Sequence, residues 1–202
     1  RRAAQHSQSP YSMFMQLTGL KLALPSTPAD AKGLIKTAIR DNNPVVFFEA
    51  GRLGGLEGEV PTGDVAIPFG KADIKRAGAD LTIVALAWMV HEALAAAEEL
   101  AADGISAEVI DPRTLAPLDI ETIRASVCKT GRLVIADEAP PVASAAADIA
   151  ARVAEDPACF AALKAPIARV CGLEAPIPYS PALEDHVFPG RQRILKAARA
   201  LL

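Results

Sequence analysis

The sequence predicts an α/β fold, a three-layer sandwich built around a mostly parallel sheet. Three observations carry that expectation. From residue 81 onward, short apolar runs alternate with amphipathic helical segments in a βαβα rhythm. Residues 20–48 read as a separate strand, helix, strand unit, the pattern of a parallel pair with a helical crossover. Between the two lies 51–68, with five Gly, two Pro and little periodicity, which is the best candidate for a linker, its boundary near Ile67.

In the first unit, Leu20, Leu22 and Leu24 alternate with Lys21 and Ala23, as in a short strand with one buried face. A helix should follow. Thr27 can cap it, Pro28 suits its first position, and Asp30 favours the positive end of the helix dipole. Leu34, Ile35, Ala38 and Ile39 then form one apolar stripe until Asn42-Asn43-Pro44 stops the helix. Val45 to Phe48 is β-branched and aromatic, hence a strand.

Beyond the linker, Leu81 to Ala87 reads as a strand. The helix after it carries Val90, Leu94, Ala97 and Ala101 on one face and ends at Gly104. Ile105 to Ile110 is the next strand. Asp119 caps a helix bearing Ile120, Ile123 and Val127, Gly131 ends it, and Leu133 to Ala136 forms another strand. An Ala-rich helix from about Ser144 to Glu155, a strand near Ile167 to Cys171, a Pro-rich loop and a final helix ending at Leu202 complete the domain.

With 202 residues, 51% of them apolar, the chain can bury a substantial core. Its 21 Lys and Arg against 24 Asp and Glu leave no basic surplus for phosphates, so no nucleic-acid partner is expected. No apolar run approaches the length a bilayer requires, so no membrane segment is expected either. Cys128, Cys159 and Cys171 are odd in number and widely spaced, which points away from a disulfide framework or a zinc site and toward a reducing compartment. The chain opens on Arg1 rather than Met and runs straight into a motif-like polar stretch, so it is expected to be a piece of a longer protein.

Histidine occurs only as His6, His91 and His186. His91 falls beside the apolar face of a helix and His186 in a loop, and both read as structural or solvent-facing. His6 differs: Gln5, Ser7, Gln8 and Ser9 surround it with groups able to orient an imidazole for proton transfer, although the residues alone leave a bland reading equally open. There is no G-x-S-x-G elbow, P-loop or G-x-G-x-x-G. Asp137-Glu138 lies just past a strand's carboxyl end, where open α/β sheets place ligands, but a solvated or interface loop is the expected reading. The Arg of Asp111-Pro112-Arg113-Thr114 reads equally as an ion-pair donor or a ligand contact.

Several runs together resemble the beta subunit of thiamine-diphosphate-dependent 2-oxoacid dehydrogenases of the pyruvate and branched-chain type. They are Gln5-His6-Ser7-Gln8-Ser9-Pro10, Pro25-Ser26-Thr27-Pro28, Asp41-Asn42-Asn43-Pro44-Val45, Val109-Ile110-Asp111-Pro112-Arg113-Thr114-Leu115, Lys129-Thr130-Gly131-Arg132-Leu133 and Glu138-Ala139-Pro140. The similarity extends over nearly the whole chain. It implies that residues 1–50 are the end of a Rossmann-like pyrimidine-binding domain, 51–68 a linker, and 69–202 a transketolase C-terminal-type domain. His6 matches the family's active-site histidine, thought to assist proton transfer. The resemblance further implies thiamine diphosphate held with Mg²⁺ by an alpha subunit, and a cofactor-activating glutamate upstream of this sequence. A structural K⁺ would be held partly by backbone carbonyls, with Ala38, Asp41 and Asn43 as this chain's half.

Expected partners are the alpha subunit, a second beta subunit in an alpha₂beta₂ assembly, and a lipoyl acyltransferase core docking near Leu202. The expected location is bacterial cytoplasm or the mitochondrial matrix. On this reading the chain takes part in oxidative decarboxylation of a 2-oxo acid with acyl transfer to lipoamide, serves assembly and docking, and does not turn over by itself. Acetoin-type cleavage, a stand-alone interaction module, and part of a transketolase or deoxyxylulose-phosphate synthase remain the alternatives. One departure stands out: where the family commonly has a Gly-rich segment, this sequence has Pro141-Val142-Ala143-Ser144-Ala145.

Overall fold

In the computed structural model, which describes residues 3–202, the first unit opens with two single-turn helices, α1 (Ala3–His6) and α2 (Ser12–Met15). Strand β1 (Lys21–Ala23) then leads into α3 (Pro28–Arg40) and β2 (Val45–Phe47). The Thr27 side chain accepts the Asp30 amide at 3.1 Å, capping α3 as its sequence predicts. β1 and β2 pair in parallel, with Lys21 opposite Val45. The two short helices are absent from the periodicity reading because four residues carry no helical repeat.

The 51–68 stretch is not a free connector. After a 3₁₀ turn at Gly51–Leu53 it lies along α3, where the Ile67 amide donates to Gly33 O at 3.1 Å and Thr37 Oγ1 to Ile67 O at 2.6 Å. Lys36 and Arg40 hold Asp64 at 3.0 and 2.8 Å.

The remaining elements follow in order as β3 (Asp73–Arg76), β4 (Leu81–Ala85), α4 (Met89–Ala102), β5 (Ala107–Asp111), β6 (Thr114–Ala116) and α5 (Ile120–Thr130). After them come β7 (Leu133–Asp137), α6 (Ala145–Ala154), α7 (Pro157–Ala162), β8 (Ala168–Cys171), α8 (Pro181–Val187) and α9 (Arg191–Ala200). The main sheet has the order β3-β5-β4-β7-β8, all parallel except β3 against β5. The predicted mostly parallel layered fold is therefore what the chain adopts. β3, β6, α7 and α8 were not anticipated, since each is short and polar or Pro-led. His186 consequently sits in α8 rather than in a loop.

Both sheet faces are covered. α4 and α9 pack on one through Leu81, Ile83, Val90, Leu100 and Ile194; α5 and α6 pack on the other through Val84, Ile110, Ile123, Ile135 and Ile149. Every residue of β4, β5 and β7 is accordingly buried, which is why these strands are mostly apolar rather than alternating. Buried hydroxyls between β4 and α5 satisfy one another: Thr82 Oγ1 lies 2.6 Å from Ser126 Oγ and 2.8 Å from Thr130 Oγ1. Ala101, expected on the inner stripe of α4, faces solvent, and Ala93 and Ala96 take its place.

The two units are stitched together. β6 pairs antiparallel with β1, so the small sheet runs β2-β1-β6 and contains a strand from each side of the 51–68 stretch. Beneath it an ionic network joins α3 to the main sheet: Lys75 Nζ lies 2.8 Å from Asp30 and 2.7 Å from Asp73, and Arg113 donates to Asp30 at 3.3 Å. Arg113 is thus an ion-pair donor, the structural one of its two readings. Ser26 Oγ donates to the fully buried Asp111, whose carboxyl burial pushes up to about 6. His91 Nε2 sits 2.8 Å from Ser26 O, a structural role as expected.

Candidate functional site

Chain direction within the main sheet marks where a site should form. From β4 the chain crosses by α4 to β5 on one side, then by α5 to β7 on the other side of β4, so the order reverses between β4 and β7. In open α/β sheets the crevice beyond the carboxyl ends of strands at such a switch point is the ligand site. A cleft of about 210 Å³ lies there, lined among others by Ala87 just after β4 and Glu138 just after β7.

The first unit forms its opposite wall. His6 and Ser7 through Pro10 line the cleft, together with Phe48 after β2 and Arg52 in the 3₁₀ turn. Tyr11 holds this polar segment down: its hydroxyl donates to Asp137 Oδ1, 126 residues away, and its ring meets Phe48 edge-on at 5.9 Å. Asp137 Oδ1 also accepts the Ala139 amide at 2.9 Å. Burial pushes the Asp137 carboxyl up to about 6, with the Tyr11 and amide bonds pulling the other way. Burial and the nearby Asp137 charge hold the Tyr11 phenol well above its ordinary value.

Arg52 clasps the second unit. Its guanidinium lies 3.3 Å from Glu138 Oε1 and 3.7 Å from Glu184 Oε1 of α8, and stacks 4.3 Å from the Phe188 ring centre. One cation faces two nearly buried carboxylates, with Asp137 and Glu92 adding to the negative field. Burial above all pushes Glu138 up to about 7, Arg52 opposing it. Glu138 therefore exchanges a proton near neutral pH, in a cleft that also holds an exposed imidazole.

The backbone is strained beside this site. Ala87 (φ 49°) lines the cleft, and Ala143 (φ 46°) lies in the segment where the resembled family has glycines. Both alanines therefore hold a left-handed backbone that glycine adopts more freely.

Of the residues singled out from sequence, His6 is at the cleft. Ala38, Asp41 and Asn43 are not: they form the turn at the C-terminal end of α3. The Asp41 carboxylate takes Lys21 Nζ at 2.5 Å and the Asn43 amide at 2.9 Å, and Lys21 first of all lowers its pKa to about 2. Glu138, expected in a solvated or interface loop, is instead nearly buried in the cleft wall. Tyr11, Arg52 and Glu184 were missed altogether. The switch point between β4 and β7 was the signal that could have promoted Glu138.

Comparison with known proteins follows the same division. Residues 70–194 match the family described as Transketolase, C-terminal domain, and residues 1–54 match Transketolase, pyrimidine binding domain. The beta subunit of acetoin:2,6-dichlorophenolindophenol oxidoreductase from Cupriavidus necator is 54% identical over 98% of this chain and 58% of that protein. The pyruvate dehydrogenase E1 component subunit beta of Bacillus subtilis is 46% identical over 98% of this chain and 60% of that protein. The chain thus spans 58 to 60% of the length of these two relatives. A solved structure titled split gene transketolase, inactive beta4 tetramer, superposes with a TM-score of 0.82 at 26% identity, covering 98% of this chain and 63% of that one.

Proposed function

Since this chain belongs to the transketolase C-terminal domain family, we propose that it forms part of the beta component of a thiamine-diphosphate-dependent oxidoreductase, one wall of a chamber completed by other chain. The enzyme would cleave the carbon–carbon bond beside a carbonyl, in a 2-oxo acid or in acetoin, and oxidise the acyl fragment. The observation that carries this reading is the cleft itself, where His6 from the first unit faces Glu138 and Arg52 across the switch point.

The described residues are suited to a share of a cofactor site. At about 210 Å³ the cleft is smaller than the roughly 300–1,000 Å³ of a pocket that encloses a small ligand. When bound, thiamine diphosphate supplies carbanion stabilisation beside the substrate carbonyl. His6, exposed on the cleft wall, gives and takes a proton at its imidazole. Glu138 stores a proton that its burial keeps available at neutral pH. Arg52 orients Glu138 and Glu184, and Tyr11 fixes the depth at which the His6 segment sits. Among the described residues no group of three or more His, Cys, Asp or Glu could hold a metal, so Mg²⁺ and the diphosphate fall to an alpha-type partner in this reading.

We also propose a K⁺ site at the C-terminal end of α3, where the negative end of the helix dipole favours a cation. The Asp41 side chain is taken by Lys21, and the ion would share the Ala38 carbonyl with the Asp41 amide, which that carbonyl accepts at 3.3 Å, and draw on the carbonyls of Asp41 and Asn43. Beta components require an alpha subunit, and we extend the assembly to a second beta subunit and a lipoyl acyltransferase core. The proposed location is bacterial cytoplasm or the mitochondrial matrix, since pyruvate dehydrogenase relatives include mitochondrial proteins. No helix among the described residues is long and apolar enough to cross a membrane.

A chimera tests the proposal. This chain replaces the matching part of the Cupriavidus necator beta subunit, which is then assembled with its alpha subunit. Acetoin-dependent dye reduction is the expected result, and His6→Ala should lower kcat about 100-fold or more without affecting assembly. An assembled but inactive chimera would overturn the function, and a fully active His6→Ala chimera would overturn the role of His6.

A further inference from the structure

Away from the cleft, Cys128 and Cys159 are separated by 31 residues in sequence and 3.2 Å between their sulfurs. Cys128 is exposed on the last turn of α5, and Cys159 is fully buried in the first turn of α7. The site has a fixed frame: Asp156 caps α7 by accepting the Cys159 amide at 2.9 Å, and Cys159 Sγ lies 3.5 Å from Arg124 O of α5. Bonded sulfurs lie about 2.05 Å apart, so closure asks for a shift of roughly 1 Å, within reach of small side-chain rotations. Nothing in the cleft chemistry uses either thiol. Cys171, buried at the end of β8, stands apart as an internal control.

We propose that Cys128 and Cys159 form a reversible redox-modification site that reacts with low-molecular-weight disulfides. The exposed Cys128 thiolate attacks one sulfur of the reagent, its S–S bond breaks, and one half leaves as a thiolate that takes a proton from solvent. Cys128 then carries a mixed disulfide. Cys159 releases its proton to solvent and attacks Cys128 Sγ, and the second half of the reagent leaves as a thiol. In sum, two protein thiols become one disulfide while one reagent disulfide becomes two thiols, a transfer of two electrons.

The second step is the slow one. Burial pushes the Cys159 thiol up to about 12, with Cys128 and Asp156 adding to the shift, so its thiolate is scarce at neutral pH and rises tenfold with each pH unit. The closed loop would contain β7, Glu138, the strained turn at Ala143 and all of α6. Oxidation would therefore stabilise the segment that forms one wall of the cleft against unfolding, by reducing the entropy of the unfolded chain.

The test uses the chain with oxidised glutathione, sampled over time at pH 7 and pH 8.5 and read by intact mass and peptide mapping. The expected course is a transient single adduct on Cys128, then loss of two hydrogens with Cys128 and Cys159 peptides joined. Closure should be faster at the higher pH, Cys171 untouched, and dithiothreitol should reverse it. Cys159→Ser should stop at the adduct, and the closed form should melt several degrees higher. A lasting Cys128 adduct without closure at pH 8.5, a cross-link to Cys171, or three free thiols at the end would each overturn the proposal; the peptide map of the unsubstituted chain decides even if a variant fails to fold.

Discussion

Replacing Glu138 with Gln should flatten the loss of stability that the chain suffers as pH rises through neutrality. Glu138 has a folded-state pKa of about 7 against an ordinary 4.5, because burial disfavours its charged form. A carboxyl whose pKa is raised on folding contributes stability that is fully present below the unfolded value and is lost as pH climbs through the folded one. Between pH 5 and pH 8 those two values correspond to a loss of roughly 2–3 kcal/mol. Gln keeps the shape and an oxygen for Arg52 but cannot ionise. Urea denaturation of both proteins at pH 5, 6, 7 and 8 therefore should show the gap between them shifting by roughly 2–3 kcal/mol in favour of the variant, most of it by pH 7. Parallel stability curves across that range would refute the reasoning, since Glu138 would then ionise in the fold as easily as in water.

Other substitutions probe the parts around it. Tyr11→Phe removes the hydroxyl that serves Asp137 and should cost about 2 kcal/mol in denaturant titrations, more at pH 8 than at pH 5, because the lost bond favours the carboxylate form. Lys75→Met leaves the buried Asp111 without its cation and Asp30 with Arg113 alone; a loss of about 3 kcal/mol at pH 7 should shrink as Asp111 protonates in acidic buffer. Gly172→Ala would bring a methyl group to 2.5 Å from the Glu138 carbonyl oxygen. It should lower stability by about 2 kcal/mol and blunt the pH dependence assigned to Glu138, seen in the same denaturation series.

Which features were legible in the sequence follows from how locally each is encoded. The helix at 28–40 announces itself through Thr27, Pro28 and an apolar stripe, and the helix at 120–130 through Asp119 and Gly131, whose φ of 74° only glycine adopts freely. Strands buried on both faces, such as Leu81–Ala85, are apolar but for Thr82 and equally plain. β6 was invisible because three residues next to a buried strand gain their identity only by pairing with β1, 91 residues upstream at the Ala23–Thr114 pair. The candidate site divides the same way. His6 stood out by its polar neighbours, whereas Arg52 lay in a stretch that looked like a linker, and Glu138, noted past a strand's carboxyl end, was read first as a loop residue because its burial depends on Arg52, Glu184 and Tyr11 arriving from three distant segments. Long-range convergence, which creates the shifted acids, leaves no periodic trace.

The central claim, that this chain holds one wall of a catalytic chamber and not the whole of it, is tested most directly by assaying the chain alone with thiamine diphosphate, Mg²⁺ and either pyruvate or acetoin. Substrate consumption indistinguishable from a cofactor-only blank is the expected result. Sustained turnover that disappears on His6→Ala would contradict it, for these residues would then enclose a complete active site.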